Sequence, residues 1–128
     1  MQSEKIIERI VSWLKDYAEK AGVKGYVIGV SGGVDSGVVS TLCAMTGLKV
    51  LALEMPIRQQ KDQASRALEH IDFLKNKFPN VEGFTVDLNE PFEALYKTFD
   101  VKDDEFPAEK LAFANTRSRL RMLTLYYY

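Results

Sequence analysis

The chain has 128 residues and a mass of 14.5 kDa, which suits one domain and leaves little room for two. Hydrophobic residues make up 46% and charged residues 27%, so the composition is that of a globular domain and excludes a disordered chain. Basic and acidic residues number 17 and 18, and a net charge of -1 offers no basic excess for nucleic-acid binding.

The only cysteine, Cys43, has no partner for an internal disulfide, and no apolar run reaches the roughly 20 residues of a membrane span. The first thirty residues lack the basic start, apolar stretch and cleavage site of a signal peptide. We therefore expect a cytoplasmic protein whose partners include neither a membrane nor a nucleic acid.

Apolar residues recur at helical spacing from Glu4 to Ala21, which predicts an amphipathic helix that stops at Gly22. Tyr26 to Val30 is a short apolar run between glycines, which predicts a strand buried on both faces. A second helix is predicted to begin near Val34 and to end at glycine 47.

The alternation then repeats. Val50 to Met55 predicts a buried strand, and Asp62 to Lys77 predicts a helix that stops before Pro79. Val81 to Val86 predicts a third strand, although Gly83 weakens its pattern.

The last third of the chain is predicted to be helical at Pro91 to Phe99, to form an acidic loop at Asp100 to Glu105, and to begin a final helix at Pro107. Alternating strands and helices indicate an α/β fold, a doubly wound parallel sheet with helices on both faces. Because Tyr126 to Tyr128 end the chain inside an apolar helical pattern, we expect residues 1–128 to be a single truncated domain, incomplete at its C-terminal end.

The segment Gly29 to Gly37 lies at the junction of the first strand and the next helix. Its two adjacent glycines let main-chain N–H groups approach an anion, and the helix N-terminus adds its dipole. Hydroxyls of Ser31 and Ser36 can supplement those amides, and the Asp35 carboxylate can hold Mg²⁺. These residue types predict a pyrophosphate-binding loop, although neither the Walker A nor the dinucleotide-fold glycine pattern is present.

This loop resembles the Ser-Gly-Gly-x-Asp-Ser signature of the PP-loop ATP pyrophosphatases, which have an adenine nucleotide alpha hydrolase-like fold and cleave ATP between its α and β phosphates. Met55 to Asp62 resembles the Leu-Pro-x-x-x-Gln-x-Asp loop of the ammonia-dependent NAD synthetases. Asn115 to Met122 resembles the Asn-x-x-Ala-Arg-x-Arg-Met helix of the same enzymes. The order of the three motifs identifies the chain as the N-terminal part of a member of that family.

The resemblance implies an ATP site made by one continuous stretch: Gly29, Val30, Ser31, Gly32, Gly33, Val34, Asp35 and Ser36. It further implies that Asp35 coordinates Mg²⁺, that Gln60 lies beside the nucleotide, and that Arg119 contacts deamido-NAD. No side chain is expected to act as a nucleophile. Transition-state support is expected instead from four loop residues: Ser31, Gly32, Gly33 and Ser36.

The implied reaction is ATP-dependent amidation of deamido-NAD by ammonia through an adenylated intermediate, in an enzyme whose full-length form is a homodimer. The family's later Gly-Thr-x-x-x-x-Glu strand is absent, so we expect this chain alone to self-associate and to turn over no substrate. Glu54 stands where some members carry Arg, and Ser118 stands where most carry Ala. Two alternatives are a tRNA-modifying PP-loop enzyme, such as a thiolase or lysidine synthetase, and a non-catalytic nucleotide-binding module.

Other chemistry-bearing side chains have ordinary structural explanations. Cys43 lies on an apolar helix face, which predicts a buried, inert thiol. His70 has no second histidine or cysteine nearby, so we expect no ligand role for it. Arg117, Arg119 and Arg121 point in different directions along a helix, and we expect only Arg119 to face a ligand while the other two are solvated.

Overall fold

The structure is a computed structural model that describes residues 2–101 and 106–128. It contains eight elements in these residues: α1 (Ser3–Ala21), β1 (Gly25–Gly29), α2 (Val34–Met45), β2 (Lys49–Glu54), α3 (Lys61–Lys77), β3 (Val81–Thr85), α4 (Asn89–Thr98) and α5 (Pro107–Tyr127). Every predicted strand and helix is confirmed to within a few residues. Most of the predicted acidic loop, Asp100 to Glu105, lies outside the described residues.

The helix ends follow the local chemistry of the sequence. Gly22 closes α1 with a left-handed backbone, φ +69°, and its N–H donates to the carbonyl of Glu19. The helix α4 begins at Asn89, two residues before its predicted start at Pro91. Proline is tolerated there because the N–H groups of the first helical turn have no partner within the helix.

The three strands form one parallel sheet in the order β1-β2-β3. Side chains along β2 alternate between two hydrophobic clusters. Ala52 packs with residues of α2 and α3, whereas Leu53 packs with Phe92 of α4 and Phe113 of α5. The predicted parallel α/β sheet with helices on both faces is therefore confirmed.

Of the predicted strand Tyr26 to Val30, only Val30 is buried, with 3% of its surface exposed. The burial predicted for the other residues, which lie in β1, is wrong. All five residues of β1 are half-buried, whereas four of the six residues of β2 are buried. In the part of the chain that the structure describes, β1 pairs with β2 alone and is an edge strand. An apolar run between glycines cannot distinguish an edge strand from a central one.

The glycine that weakened the third strand has a packing role. A Cβ atom at Gly83 would lie 2.5 Å from Cγ2 of Ile71 and 2.8 Å from the carbonyl oxygen of Ala52. The helix α3 therefore packs against β3 at a position that only glycine fits. Among the described residues, no helix has the length and the apolar character needed to cross a membrane.

Candidate functional site

The glycine-rich loop, residues 30–33, connects the carboxyl end of β1 to the N-terminus of α2. Gly33 is the N-cap residue of α2, with an extended backbone at φ -87° and ψ 164°. The first N–H groups of a helix have no acceptor within the helix, and its dipole is positive at this end. The loop thus sits where parallel sheets bind ligands and where a helix attracts anions.

Two serine side chains hold the loop in shape. The hydroxyl oxygen of Ser36 accepts a hydrogen bond from the N–H of Ser31 at 3.1 Å and lies 3.1 Å from the Ser31 hydroxyl. The Ser31 hydroxyl in turn accepts from the N–H of Gly33 at 3.2 Å. These bonds span five residues or fewer, so the loop is braced by its own sequence.

Gly32 meets two requirements at once. Its φ of +86° lies in the left-handed region, which side chains rarely adopt. A Cβ atom there would also lie 2.6 Å from the carbonyl oxygen of Gln63 in α3. The loop therefore depends on close approach of α3 as well as on its own backbone angles.

Asp35 lies in the first turn of α2, and its side chain is exposed. Within residues 2–101 and 106–128, no group of three or more His, Cys, Asp or Glu residues could hold a metal ion by itself. In nucleotide sites Mg²⁺ usually takes one or two carboxylates and completes its shell with phosphates and water. A lone exposed carboxylate at the mouth of a phosphate-binding loop fits that donor set.

A second segment, the β2–α3 loop (Met55–Gln60), borders a cavity of about 550 Å³ beside the glycine-rich loop. The cavity is lined from three sides: by β1 and the glycine-rich loop at Gly29, Val30 and Ser31; by the β2–α3 loop at Met55 and Gln59; and by α5 at Ala114, Arg117, Ser118, Arg121, Met122 and Leu125. Polar and cationic groups thus converge on a partly apolar space, as expected of a site for a small anionic molecule. A larger cavity of about 880 Å³ lies between α1, α2 and α3; it also borders the glycine-rich loop, at Gly32 and Gly33, and its wall is mostly apolar.

The expectation that Arg121 is solvated is wrong. Arg121 is half-buried and donates a hydrogen bond from Nε to the carbonyl oxygen of Met55 at 2.9 Å. Burial lowers the pKa of Arg121, and the positive charge of Arg117 acts in the same direction. Arg117 and Arg121 are four residues apart on α5, which places both on the face that lines the cavity.

Two residues carried over from the resemblance lie away from this cavity wall. Arg119 is exposed, and its Nη1 donates to the carbonyl oxygen of Asn115 in its own helix at 3.4 Å. Gln60 is the exposed N-cap residue of α3, whereas its neighbour Gln59 lines the cavity. The contacts expected of Arg119 and Gln60 with a substrate and a nucleotide stay predictions.

The buried Glu54 is held by its neighbour in the sheet. It is only 3% exposed, and its Oε2 accepts a hydrogen bond from the Thr85 hydroxyl at 2.5 Å. Its side chain is not among those that line the 550 Å³ cavity. Glu54 therefore stabilises the end of the sheet in this structure.

His70 of α3 contacts α2 through the side chain of Ser40, a contact that the sequence does not predict. Its Nε2 lies 2.9 Å from the hydroxyl oxygen of the buried Ser40, which is also 2.6 Å from the carbonyl oxygen of Ser36. One hydroxyl proton cannot serve both partners, so donation to Ser36 requires that Nε2 donate to Ser40. Cys43 lies one helical turn after Ser40 in α2. It is buried as predicted, and this burial raises the pKa of its thiol.

A family model described as NAD synthase matches residues 6–128. An NH(3)-dependent NAD(+) synthetase of Finegoldia magna is 37% identical over 129 residues, which cover 100% of this chain and 49% of that protein. The corresponding enzyme of Carboxydothermus hydrogenoformans is 36% identical and covers 98% of this chain and 49% of its own length. The chain thus spans about half the length of the curated relatives it matches.

Solved structures agree with these sequence matches. An NMN synthetase from Francisella tularensis superposes with a TM-score of 0.84 at 32% identity, covering 100% of this chain and 50% of that one. An NH3-dependent NAD synthetase from Campylobacter jejuni, solved with a nitrate ion, superposes with a TM-score of 0.82 at 29% identity, covering 100% and 52%. Both likenesses extend over the glycine-rich loop and the helix α5.

Proposed function

This chain belongs to the NAD synthase family, and from that premise we propose that it supplies the ATP site for amidation of deamido-NAD by ammonia. The observation that carries the proposal is the glycine-rich loop at the N-terminus of α2, beside a cavity lined by Arg117 and Arg121. Backbone amides, a helix dipole and two cationic side chains all favour a polyphosphate there.

The loop residues have distinct parts in the proposed site. The backbone N–H groups of Gly32 and of the first turn of α2 from Val34 to Ser36 bind the β and γ phosphates, while the N–H of Gly33 and the hydroxyls of Ser31 and Ser36 keep the loop rigid. Asp35 is the residue that would hold Mg²⁺, which when bound neutralises phosphate charge and helps pyrophosphate to leave. Catalysis of this kind is positioning plus charge stabilisation, so it needs no side-chain nucleophile.

The proposed reaction has two steps. A carboxylate oxygen of the nicotinate group attacks the α phosphorus of ATP, the α–β phosphoanhydride bond breaks, and pyrophosphate leaves with its electron pair. Ammonia then attacks the acyl carbon of the adenylate, the carbon–oxygen bond to AMP breaks, and a proton passes to solvent. Arg117 and Arg121 line the cavity and provide positive charge for the phosphates of the substrates.

A second candidate differs in the acid that is amidated. The Francisella relative is named an NMN synthetase, so nicotinate mononucleotide is the alternative substrate to deamido-NAD. Competition between the two acids in one binding assay separates the candidates, because the preferred substrate displaces the other at the lower concentration. A tRNA substrate is not favoured, since the matched relatives are synthetases of small nucleotides.

The test uses Mg·ATP, Mg·pyrophosphate and the chain as it stands. Saturable binding of Mg·ATP that Mg·pyrophosphate displaces is the expected result, because a pyrophosphatase loop must hold the leaving group. Transfer of labelled pyrophosphate into ATP only when deamido-NAD is added would demonstrate adenylation, and would show that the expectation of an inactive chain is wrong. Binding of Mg·ATP that pyrophosphate leaves unchanged would contradict the proposed site.

A further inference from the structure

The β2–α3 loop contains a residue in an unfavourable backbone conformation. Arg58 has a φ of +48°, in the left-handed region that residues other than glycine, asparagine and aspartate seldom occupy. Such a conformation persists only when surrounding contacts hold it. The resemblance to the Leu-Pro-x-x-x-Gln-x-Asp loop leaves this position unspecified, so the sequence pattern gives no reason for arginine here.

Contacts with α4 hold Arg58 at both its backbone and its side chain. The backbone N–H donates to Oδ1 of Asn89 at 2.7 Å. The guanidinium donates from Nε to Oε1 of Glu93 at 2.6 Å and from Nη2 to Oε2 at 3.0 Å. A two-pronged arginine–carboxylate pair of this kind fixes orientation as well as charge.

Two aromatic rings support the same guanidinium. Its Cζ lies 4.4 Å from the ring centroid of Tyr96 and 5.2 Å from that of Phe92, which suits cation–π attraction. Phe92 is 1% exposed, and Tyr96 stacks on the buried Phe113 with centroids 5.1 Å apart. The surface ion pair therefore rests on rings that are anchored in the hydrophobic core.

Hydrogen bonds also hold the part of the loop that precedes Arg58. The N–H of Leu88 donates to the carbonyl oxygen of Pro56 at 3.1 Å, and Arg121 binds the carbonyl oxygen of Met55. Gln59, the next residue after Arg58, lies on the cavity wall. A shift at Arg58 would therefore change the wall of the proposed nucleotide site.

We propose that Arg58 and Glu93 form a clamp that locks the β2–α3 loop onto α4, which makes Arg58 a positioning residue for the bound nucleotide. This inference rests on the proposed function for the identity of the ligand, whereas the clamp itself is a property of the loop. The pair bridges 35 residues of sequence, so the clamp forms only when α4 packs beside the loop.

The experiment compares Glu93→Gln and Arg58→Lys with Glu90→Gln, which removes one carboxylate charge from an exposed position of the same helix. Amide hydrogen exchange at Arg58 and Leu88 reports on the loop, and exchange at Gly37 reports on α2. Calorimetry with Mg·ATP reports on the site. We expect both clamp variants to speed loop exchange about fivefold and to raise the Kd for Mg·ATP about threefold, with Gly37 exchange unchanged.

A double variant separates a clamp from two independent surface effects. Glu93→Gln combined with Arg58→Lys is expected to weaken Mg·ATP binding no more than either change alone, because both remove one interaction. Additive effects, or loop exchange that the clamp variants leave unchanged, would overturn the inference. Faster loop exchange with an unaltered Kd would also overturn it, since Arg58 would then position nothing for the nucleotide.

A failure of the proposed function gives a different pattern. If the unsubstituted chain did not bind Mg·ATP, the ligand assignment and with it the positioning role of Arg58 would be wrong. The exchange rates at Arg58 and Leu88 would still decide whether the clamp holds the loop. The two failures are therefore distinguishable in one set of samples.

Discussion

Two loops border the proposed site, and they are held by different kinds of contact. The glycine-rich loop is braced by Ser31 and Ser36 through hydrogen bonds that span two to five residues. The β2–α3 loop is held by α4 and α5 through bonds that span 31, 35 and 66 residues. The short-range hydrogen bonds are determined by a few adjacent residues. The long-range bonds form only when the whole domain is folded.

Because of this difference, the two loops should respond to substitutions at different positions in the chain. Substitutions within the glycine-rich loop change the loop directly, because its serine hydrogen bonds, its backbone angles and its contact with α3 at Gly32 all belong to one short segment. Substitutions far away in α4 or α5 leave that loop intact yet change the β2–α3 loop. Variants that affect one loop alone therefore test the comparison.

The largest effect is expected for Gly32→Ala. The added Cβ would require both the left-handed φ of +86° and a 2.6 Å approach to the Gln63 carbonyl oxygen. We expect Mg·ATP binding to be lost and the free energy of unfolding to fall by about 3 kcal/mol, measured by calorimetry and urea unfolding.

Gly47→Ala is the matched control for that change. Gly47 has a similar φ of +75°, but a Cβ there would meet nothing within 4 Å. It should cost only about 1 kcal/mol and leave Mg·ATP binding intact. Equal effects of the two alanines would mean that the approach of α3 to the loop is not important.

A smaller effect is expected for Arg121→Met, which keeps much of the side-chain volume but removes the donor to the Met55 carbonyl. We expect a loss of about 1 kcal/mol in unfolding free energy and a Kd for Mg·ATP raised a few-fold, because Arg121 holds the β2–α3 loop. Arg119→Met is the control, since Arg119 is exposed and bonds only to its own helix among the contacts described. If both substitutions had the same effect, the account of α5 would be wrong.

The sequence alone predicts the local features of the site but not its long-range contacts. The glycine-rich loop is predictable because strand, glycines and helix start are adjacent, and Asp35 falls in the first turn of α2 as expected. The half-burial of Arg121 and its bond to Met55 are not predictable, because nothing local indicates that residue 55 lies beside residue 121. For the same reason the sequence does not predict the contact between His70 and Ser40.

Protonation of Glu93 is expected to break the clamp and so to have a modest effect, confined to the β2–α3 loop. The Arg58 hydrogen bonds, and to a lesser extent the charges of Arg58 and Lys97, lower the pKa of Glu93 below its ordinary value. The clamp should therefore be intact above the ordinary glutamate pKa and be lost as pH falls through the lower, folded-state value. Carbon NMR of the Glu93 carboxyl should show its midpoint rising in Arg58→Gly, and an unchanged midpoint would contradict the pairing.

The smallest effect is expected at Cys43, which reports on α2 behind the glycine-rich loop. Cys43 is 2% exposed and burial raises the pKa of its thiol, so alkylation should require unfolding. Clamp variants in the other loop should leave the alkylation rate unchanged, as measured by mass spectrometry over time. Faster labelling in Glu93→Gln would show that the two loops are not independent.

We propose above all that the glycine-rich loop binds a metal-complexed polyphosphate through the N-terminus of α2 and Asp35. We would titrate Mg·ATP by calorimetry into the unsubstituted chain, Asp35→Ala and Asp72→Ala, since Asp72 is an exposed aspartate in the middle of α3. We expect saturable binding that weakens about tenfold or more in Asp35→Ala and is unchanged in Asp72→Ala. Binding that is indifferent to Asp35, or that weakens equally in both variants, would contradict it.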